Sequence, residues 1–168
     1  MTETSFKSKW ANWKFVAFII ILIAIFIKFY VIKERDENAP VTVEIDLNEV
    51  AFRSQKEVAA ILGTGKLVNY YKDAKAGCEK CPEVTYRDGK VKIIFIENIA
   101  DRITLNKLSG YAFENRVILG ILNLKENIEP TFEDARMKQW ENYGKYTQIS
   151  AFSSKGQIDY ILVKSKAE

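Results

Sequence analysis

Val84-Thr-Tyr-Arg-Asp-Gly-Lys-Val-Lys-Ile-Ile-Phe-Ile96 is the stretch on which the fold turns. Apolar Val84 and Tyr86 alternate with polar neighbours, as do Val91, Ile93 and Phe95, and alternation at period two marks half-buried strands. Between the two runs, Asp88-Gly89 tolerates the positive φ angles of a tight primed turn, so the stretch reads as a β-hairpin.

Working outward, Leu67 to Tyr71 reads as a further strand, separated from the hairpin by a polar loop over residues 72–82. Upstream, Ser54-Gln-Lys-Glu57 has capping-box spacing, Val58, Ala59, Ile61 and Leu62 supply one apolar helical face, and Gly63 supplies a stop. Val41 to Leu47 alternates at period two and is expected to be a strand or extended edge segment. Downstream, a strand is expected over about Asp101–Asn106, and helical spacing over Tyr111–Leu124. Strands at Met137–Tyr143, Tyr146–Phe152 and Ile158–Lys164 follow. Leu62-Gly63 and Leu119-Gly120, Gly89 and Gly144, and Asp101 and Asp159 recur at offsets of 57, 55 and 58 residues, which suggests units of about 50–107 and 108–164. The alternative is two ordinary stretches that share common turn residues.

The most apolar segment lies near the N-terminus. Phe15 to Ile27 contains no polar residue, and after Lys28 the run continues through Ile32. Residues 15–32, if helical throughout, would rise about 27 Å, roughly the thickness of a bilayer's hydrocarbon core. Trp10, Trp13 and Tyr30 stand at its edges, where amphipathic rings favour the headgroup layer. No small-residue cleavage site follows, which argues against a removed signal peptide. The expectation is therefore a single-pass transmembrane helix over 15–32 contacting membrane lipid. A flank over 1–14, a linker over 33–40 and an extramembrane α+β domain over 41–168 complete the organisation. Lys7, Lys9 and Lys14 before the span favour an inside N-terminus and an extracytoplasmic C-terminal domain.

Charge and composition narrow the chemistry. The net charge of +3 leaves residues 38–168 nearly neutral, with 19 basic against 18 acidic residues. Interspersed signs do not make the basic stripe that nucleic acid requires, so no nucleic-acid partner is expected. The chain has no histidine, which excludes Ser-His-Asp and Cys-His catalytic pairs and the HExxH zinc motif. Gly63-Thr-Gly-Lys66 is not a phosphate loop, because Ala60 stands where the first glycine is required and Leu67 where Ser or Thr is. No cofactor, metal or catalytic residue is assigned, and no enzyme activity is expected.

Cys78-Glu-Lys-Cys81 has the spacing of a disulfide staple or a redox pair. A thioredoxin-like motif opens a helix beside a βαβ unit, whereas this one sits among antiparallel signals, so the staple is the leading reading. Tyr86, Trp140, Tyr143, Tyr146 and Tyr160 are the candidate interaction surface, since Tyr and Trp dominate interface hot spots. Strand aromatics that alternate with polar residues also serve as core.

The helix end Val58-Ala-Ala-Ile-Leu-Gly63, the strand-turn-strand Tyr86 to Phe95 and the counterpart Trp140 to Phe152 resemble small bacterial envelope proteins of the SmpA/BamE kind and the tandem-unit β-lactamase-inhibitor proteins. The resemblance covers about residues 50–164. It implies short helices packed on one face of an antiparallel meander, and a binding tendency, but transfers no functional residue. The chain departs from the first group in lacking a lipid-anchored cysteine and from both in its expected uncleaved anchor. The resulting expectation is a membrane-anchored, non-enzymatic envelope protein that recognises another protein as scaffold, inhibitor or immunity factor. The alternative is a membrane-tethered thiol-disulfide redox protein using Cys78 and Cys81.

Overall fold

The computed structural model of the chain describes Trp13, residues 15–26 and residues 40–165. These fall into two compact units, one before residue 41 and one from Val41 onward.

In the first unit residues 15–26 form a helix, α1, in which every side chain is exposed. No helix among the described residues is long and apolar enough to cross a membrane. This overturns the single-pass helix over 15–32 and the single-pass, extracytoplasmic placement that depended on it. Residues 27–32 of that span, 33–39 of the linker, and 1–12 and 14 of the flank lie outside the described residues.

The second unit is α+β, dominated by strands. Its short helices are α2 (Leu47–Val50), α3 (Gln55–Leu62) and α4 (Asn115–Ile121). Its strands are β1 (Lys66–Asp73), β2 (Cys78–Tyr86), β3 (Val91–Ile96), β4 (Ile99–Leu105), β5 (Phe132–Glu133), β6 (Met137–Tyr143), β7 (Tyr146–Ser154) and β8 (Gln157–Ser165). They form one antiparallel sheet of order β1-β2-β3-β4-β8-β7-β6-β5. The expected simple meander is thereby corrected. Two four-stranded meanders meet at a β4–β8 seam, with Ile103 opposite Val163 and Leu105 opposite Ile161, and each ends at an outer edge.

Local chemistry explains the element boundaries. Ser54 Oγ accepts from the Glu57 amide (3.4 Å) while the Glu57 carboxylate accepts from the Ser54 amide (2.9 Å), closing the capping box of α3. Gly63, at φ +91°, ends that helix in a conformation that side chains with a Cβ rarely adopt. The turn after β2 is a four-residue loop rather than a two-residue one: Tyr86 pairs with Val91, and Arg87, Asp88 and Gly89 all take positive φ.

Val41–Asp46 joins no sheet and Leu47 already opens α2, contrary to the period-two pattern of Val41–Leu47. Its amides are spent elsewhere. Those of Glu44 and Ile45 donate to the Ile121 carbonyl (2.9 and 3.1 Å) and that of Leu47 to the Leu122 carbonyl (3.3 Å). They satisfy carbonyls left without partners at the end of α4. The segment expected to be a polar loop, 72–82, is also corrected. The Asp73 carboxylate accepts from the Lys75 and Ala76 amides, a single 3-10 turn reverses the chain, and β2 begins at Cys78.

One sheet face packs against the helices. Val84, Ile93, Phe95, Ile103, Leu105, Ile149, Ile161 and Val163 meet Leu47, Val58, Ile118 and Ile121 in one buried cluster. Of the repeat matches, Gly89 and Gly144 both lie in the turn between the second and third strands of their meander, and Asp101 and Asp159 lie in the paired strands β4 and β8. Gly63 and Gly120 do not correspond: Gly63 caps α3, whereas Gly120 lies inside α4, and a Cβ there would stand 3.0 Å from Val41.

Candidate functional site

The helices cover one face of the sheet, so the alternate side chains of the interior strands point to the other, uncovered face. Registers place these outward positions in rows. One row crosses every strand: Lys66, Thr85, Lys92, Thr104, Leu162, Ser150, Gln139 and Phe132. The next runs from Asn69 through Glu83, Ile94, Arg102, Lys164 and Gln148 to Glu141. A third, shorter row pairs Tyr160 with Phe152 and Phe152 with Met137.

Each meander carries its own polar network on this face. On the first, Lys92 pairs with Glu83 at 2.7 Å, and Arg102 reaches both Asp73 (2.7 Å) and the Tyr71 hydroxyl (2.6 Å). The Asp73 carboxyl is held below its ordinary range by the Arg102 hydrogen bond. Burial opposes the charge on Arg102, yet Asp73 and the neighbouring charges leave the guanidinium more firmly protonated than usual. On the second, the Gln148 amide donates to Gln139 Oε1 and Ser150 Oγ, both at 2.8 Å, and Lys164 donates to Gln148 at 3.0 Å. Beside these networks Phe152 and Tyr160 stack with centroids 4.5 Å apart and planes 17° apart. Half-buried Leu162 follows Tyr160 on this face of β8, and half-buried Ile94 lies two strands away, beyond Thr104 and Arg102 of β4.

The five aromatic residues expected to form one interaction surface divide. Tyr86, Trp140 and Tyr146 are 1 to 2% exposed and belong to the core, which corrects their assignment. All three belong to the one buried apolar cluster. Trp140 Nε1 donates to the Ile128 carbonyl at 2.9 Å. The hydroxyls of Tyr86 and Tyr146 are buried without a hydrogen-bond partner among the described residues, and burial pushes both phenols above their ordinary pKa. Tyr143 is half-buried and donates to the Lys125 carbonyl at 3.3 Å. It lines, with Leu124, Ile128 and Trp140, a cavity of about 520 Å³ beneath the loop that joins α4 to β5. Only Tyr160 lies on the uncovered face, and its partner there is Phe152.

Cys78 and Cys81 form a disulfide within β2. Tyr71 opposes Cys81 and Asp73 opposes Cys78, so three steps of β2 face two of β1. The extra residue makes a β-bulge, and the disulfide brackets it. Cys78 and Cys81 are 2% and 6% exposed.

Ile94, Arg102 and Leu162 were not singled out as site residues from the sequence. The signal was present: with Ile93, Phe95, Ile161 and Val163 in the core, their neighbours must face the other way. Among the described residues no group of three or more His, Cys, Asp or Glu side chains is placed to hold a metal ion. No family model, curated protein or solved structure matches this chain.

Proposed function

We propose that this chain is a protein-recognition module that docks a partner on the uncovered face of its eight-stranded sheet. One observation carries the reading: the Phe152–Tyr160 stack and Leu162, the next outward residue on β8, form a half-buried apolar surface flanked by hydrogen-bonded polar side chains. Aromatic and aliphatic anchors beside a pre-organised polar rim are the usual make-up of an interface, because little side-chain entropy is lost when the partner arrives. The non-enzymatic part of the reading rests on the sequence, whose lack of histidine removes the common catalytic constellations.

The redox alternative has less support. Thiol–disulfide exchange needs a sulfur open to an attacking thiolate, and Cys78 and Cys81 are both buried.

A photo-cross-linking side chain introduced at Tyr160 or Leu162, in cells that make the protein, is expected to capture one specific partner. The same group at Lys56, an exposed position on α3, is expected to capture none. Equal yields at all three positions would defeat the reading, as would failure at Tyr160 and Leu162 with the fold intact. Replacing Tyr160 with Glu should abolish capture at Leu162 and leave the unfolding midpoint nearly unchanged, since the side chain is half-exposed.

A further inference from the structure

We infer that the outer edge of β1 accepts, as a ninth strand, an extended segment of a partner protein that mixes acidic with apolar residues. The edge and the uncovered face are different surfaces, so this inference stands independently of the docking face proposed above.

β1 lies at the end of the sheet and, among the described residues, pairs with β2 alone. A strand in that position leaves backbone N–H and C=O groups along its outer side, a template for another strand. Two properties distinguish it from the opposite edge. It is eight residues long, whereas β5 has two. It is also uncovered on both faces: Lys66 to Tyr70 are all exposed, with Leu67, Val68 and Tyr70 each about half exposed at 47, 50 and 48%. Leu67 and Tyr70 oppose Val84 and Pro82, so they lie on the helix side of the sheet, beyond the reach of the helices. Three large apolar side chains on a free edge cost hydration free energy that a docked strand would recover.

Charge selects the occupant. From Lys66 to Lys80 the chain carries four lysines (66, 72, 75 and 80) and two carboxylates (Asp73 and Glu79), a surplus of two positive charges. Both carboxylates are engaged, Asp73 with Arg102 at 2.7 Å and Glu79 with Lys72 at 3.3 Å. The Lys80 ammonium lies 4.6 Å from the centre of the exposed Tyr70 ring. A second copy of this chain would bring one cationic edge against another, whereas an acidic extended segment is complementary to it. The disulfide fixes the bulge next to Tyr71–Asp73, and with it the far end of the edge. A pre-set edge binds with less ordering cost.

The test uses the full chain and two short synthetic peptides, one alternating Val and Thr with Glu, the other with Lys in place of Glu. The acidic peptide is expected to bind and to slow hydrogen exchange of β1 amides about tenfold or more, as new interstrand bonds close them off. The lysine peptide should bind about tenfold or more weakly, and added salt should narrow the difference. A Lys66→Glu/Lys72→Glu variant, altered only at exposed side chains, should reverse the preference. Three results would overturn the inference: no binding of either peptide, equal binding of both, or shifts confined to Tyr160 and Leu162. Protection of the β1 amides that grows with protein concentration and needs no peptide would assign the edge to a second copy and equally overturn it. None of these outcomes touches the cross-linking test at Tyr160.

Discussion

The first meander finishes on β1, eight exposed or half-exposed residues with a disulfide in the strand behind them, whereas the second finishes on the two residues of β5. The helices differ in the same sense. α3 buries Val58 and Leu62 only, while α4 buries Ile118, Leu119, Gly120 and Ile121 in succession. α4 is enclosed because the chain from Val41 to Leu47 crosses to it and hydrogen-bonds its end. The second half spends its connecting chain on a loop that closes over Trp140. The same strand plan can thus be finished as an open edge or as an enclosed core. The first half is organised to present backbone, the second to hold the domain together.

That contrast predicts a heavy cost for emptying the enclosed core of the second half, and this is the largest effect expected. Trp140→Ala leaves a cavity at a site with almost no exposure and strips the indole from the Ile128 carbonyl, so it should cost about 3–5 kcal/mol. In the first half, Tyr86→Phe keeps the ring and removes only a buried hydroxyl without a partner among the described residues, so it should be neutral or slightly stabilising. Urea unfolding of both variants measures the difference. If Trp140→Ala cost under about 1 kcal/mol, the enclosed-core account of the second half would fail.

Next in size is the disulfide. Closing so short a loop restricts the unfolded chain by about 2 kcal/mol on the loop-entropy relation, and a Cys78→Ala/Cys81→Ala variant should lose roughly that amount. The loss should be local. Hydrogen exchange of β1 and β2 amides is expected to quicken while β6 and β7 keep their protection. Uniform loosening of both halves would show that the staple supports the whole sheet and not the edge.

What the sequence made legible follows the same line. Hairpin β2–β3, the capping box at Ser54, and strands β7 and β8 were all readable, because alternation, turn residues and caps are local signals. The β4–β8 seam was not, since its register joins Asp101–Asn106 to Ile158–Lys164 and no local pattern names a distant partner. Val41–Leu47 alternates like a strand, yet its amides serve α4, a demand set by tertiary structure. Tyr86, Trp140 and Tyr146 read as surface because aromatic identity alone does not say which sheet face the helices cover. Residues 15–32 read as a span from hydropathy, but no helix among the described residues is long and apolar enough to cross a membrane. Of the candidate site, Tyr160 and the cysteine pair were identified directly. Arg102, Ile94 and Leu162 needed the parity of their neighbours, and the β1 edge needed the strand order.

A smaller, pH-dependent effect tests how the halves are tied together. Glu44 accepts from Lys90 (2.6 Å), in the turn of the first half, and from Tyr111 (2.5 Å), at the start of the second. Burial alone would raise the Glu44 carboxyl, but hydrogen bonds from Lys90 and Tyr111 outweigh it and the pKa lies below its ordinary value. A lowered carboxyl stabilises the fold above its unfolded pKa of about 4.3, and this contribution is lost as pH falls through the folded value. The Tyr111 phenol is pushed up to about 12, chiefly by its bond to Glu44, so its share is kept below pH 10 or so and lost as pH rises toward that value. Glu44→Gln should flatten both limbs, and its stability curve should converge on the parent's at acid pH. Parallel curves would mean that Glu44 does not couple the halves.

The smallest effect lies at the helix starts. Ser54 closes a two-way cap on α3, whereas Glu114 at the corresponding position of α4 makes no side-chain cap bond. Ser54→Ala should therefore cost about 1 kcal/mol. Glu114→Ser should recover part of such a bond for α4, with Val117 at the third helical position supplying the amide but no carboxylate to complete the box. The gain should be smaller than the loss at Ser54, because α4 is already held by three buried side chains and by the amides of Glu44, Ile45 and Leu47. Thermal unfolding of the two single variants and the double variant gives the comparison directly. If Glu114→Ser stabilised as much as Ser54→Ala destabilised, α4 would depend on its cap like α3, and enclosure would not be what distinguishes the second half from the first.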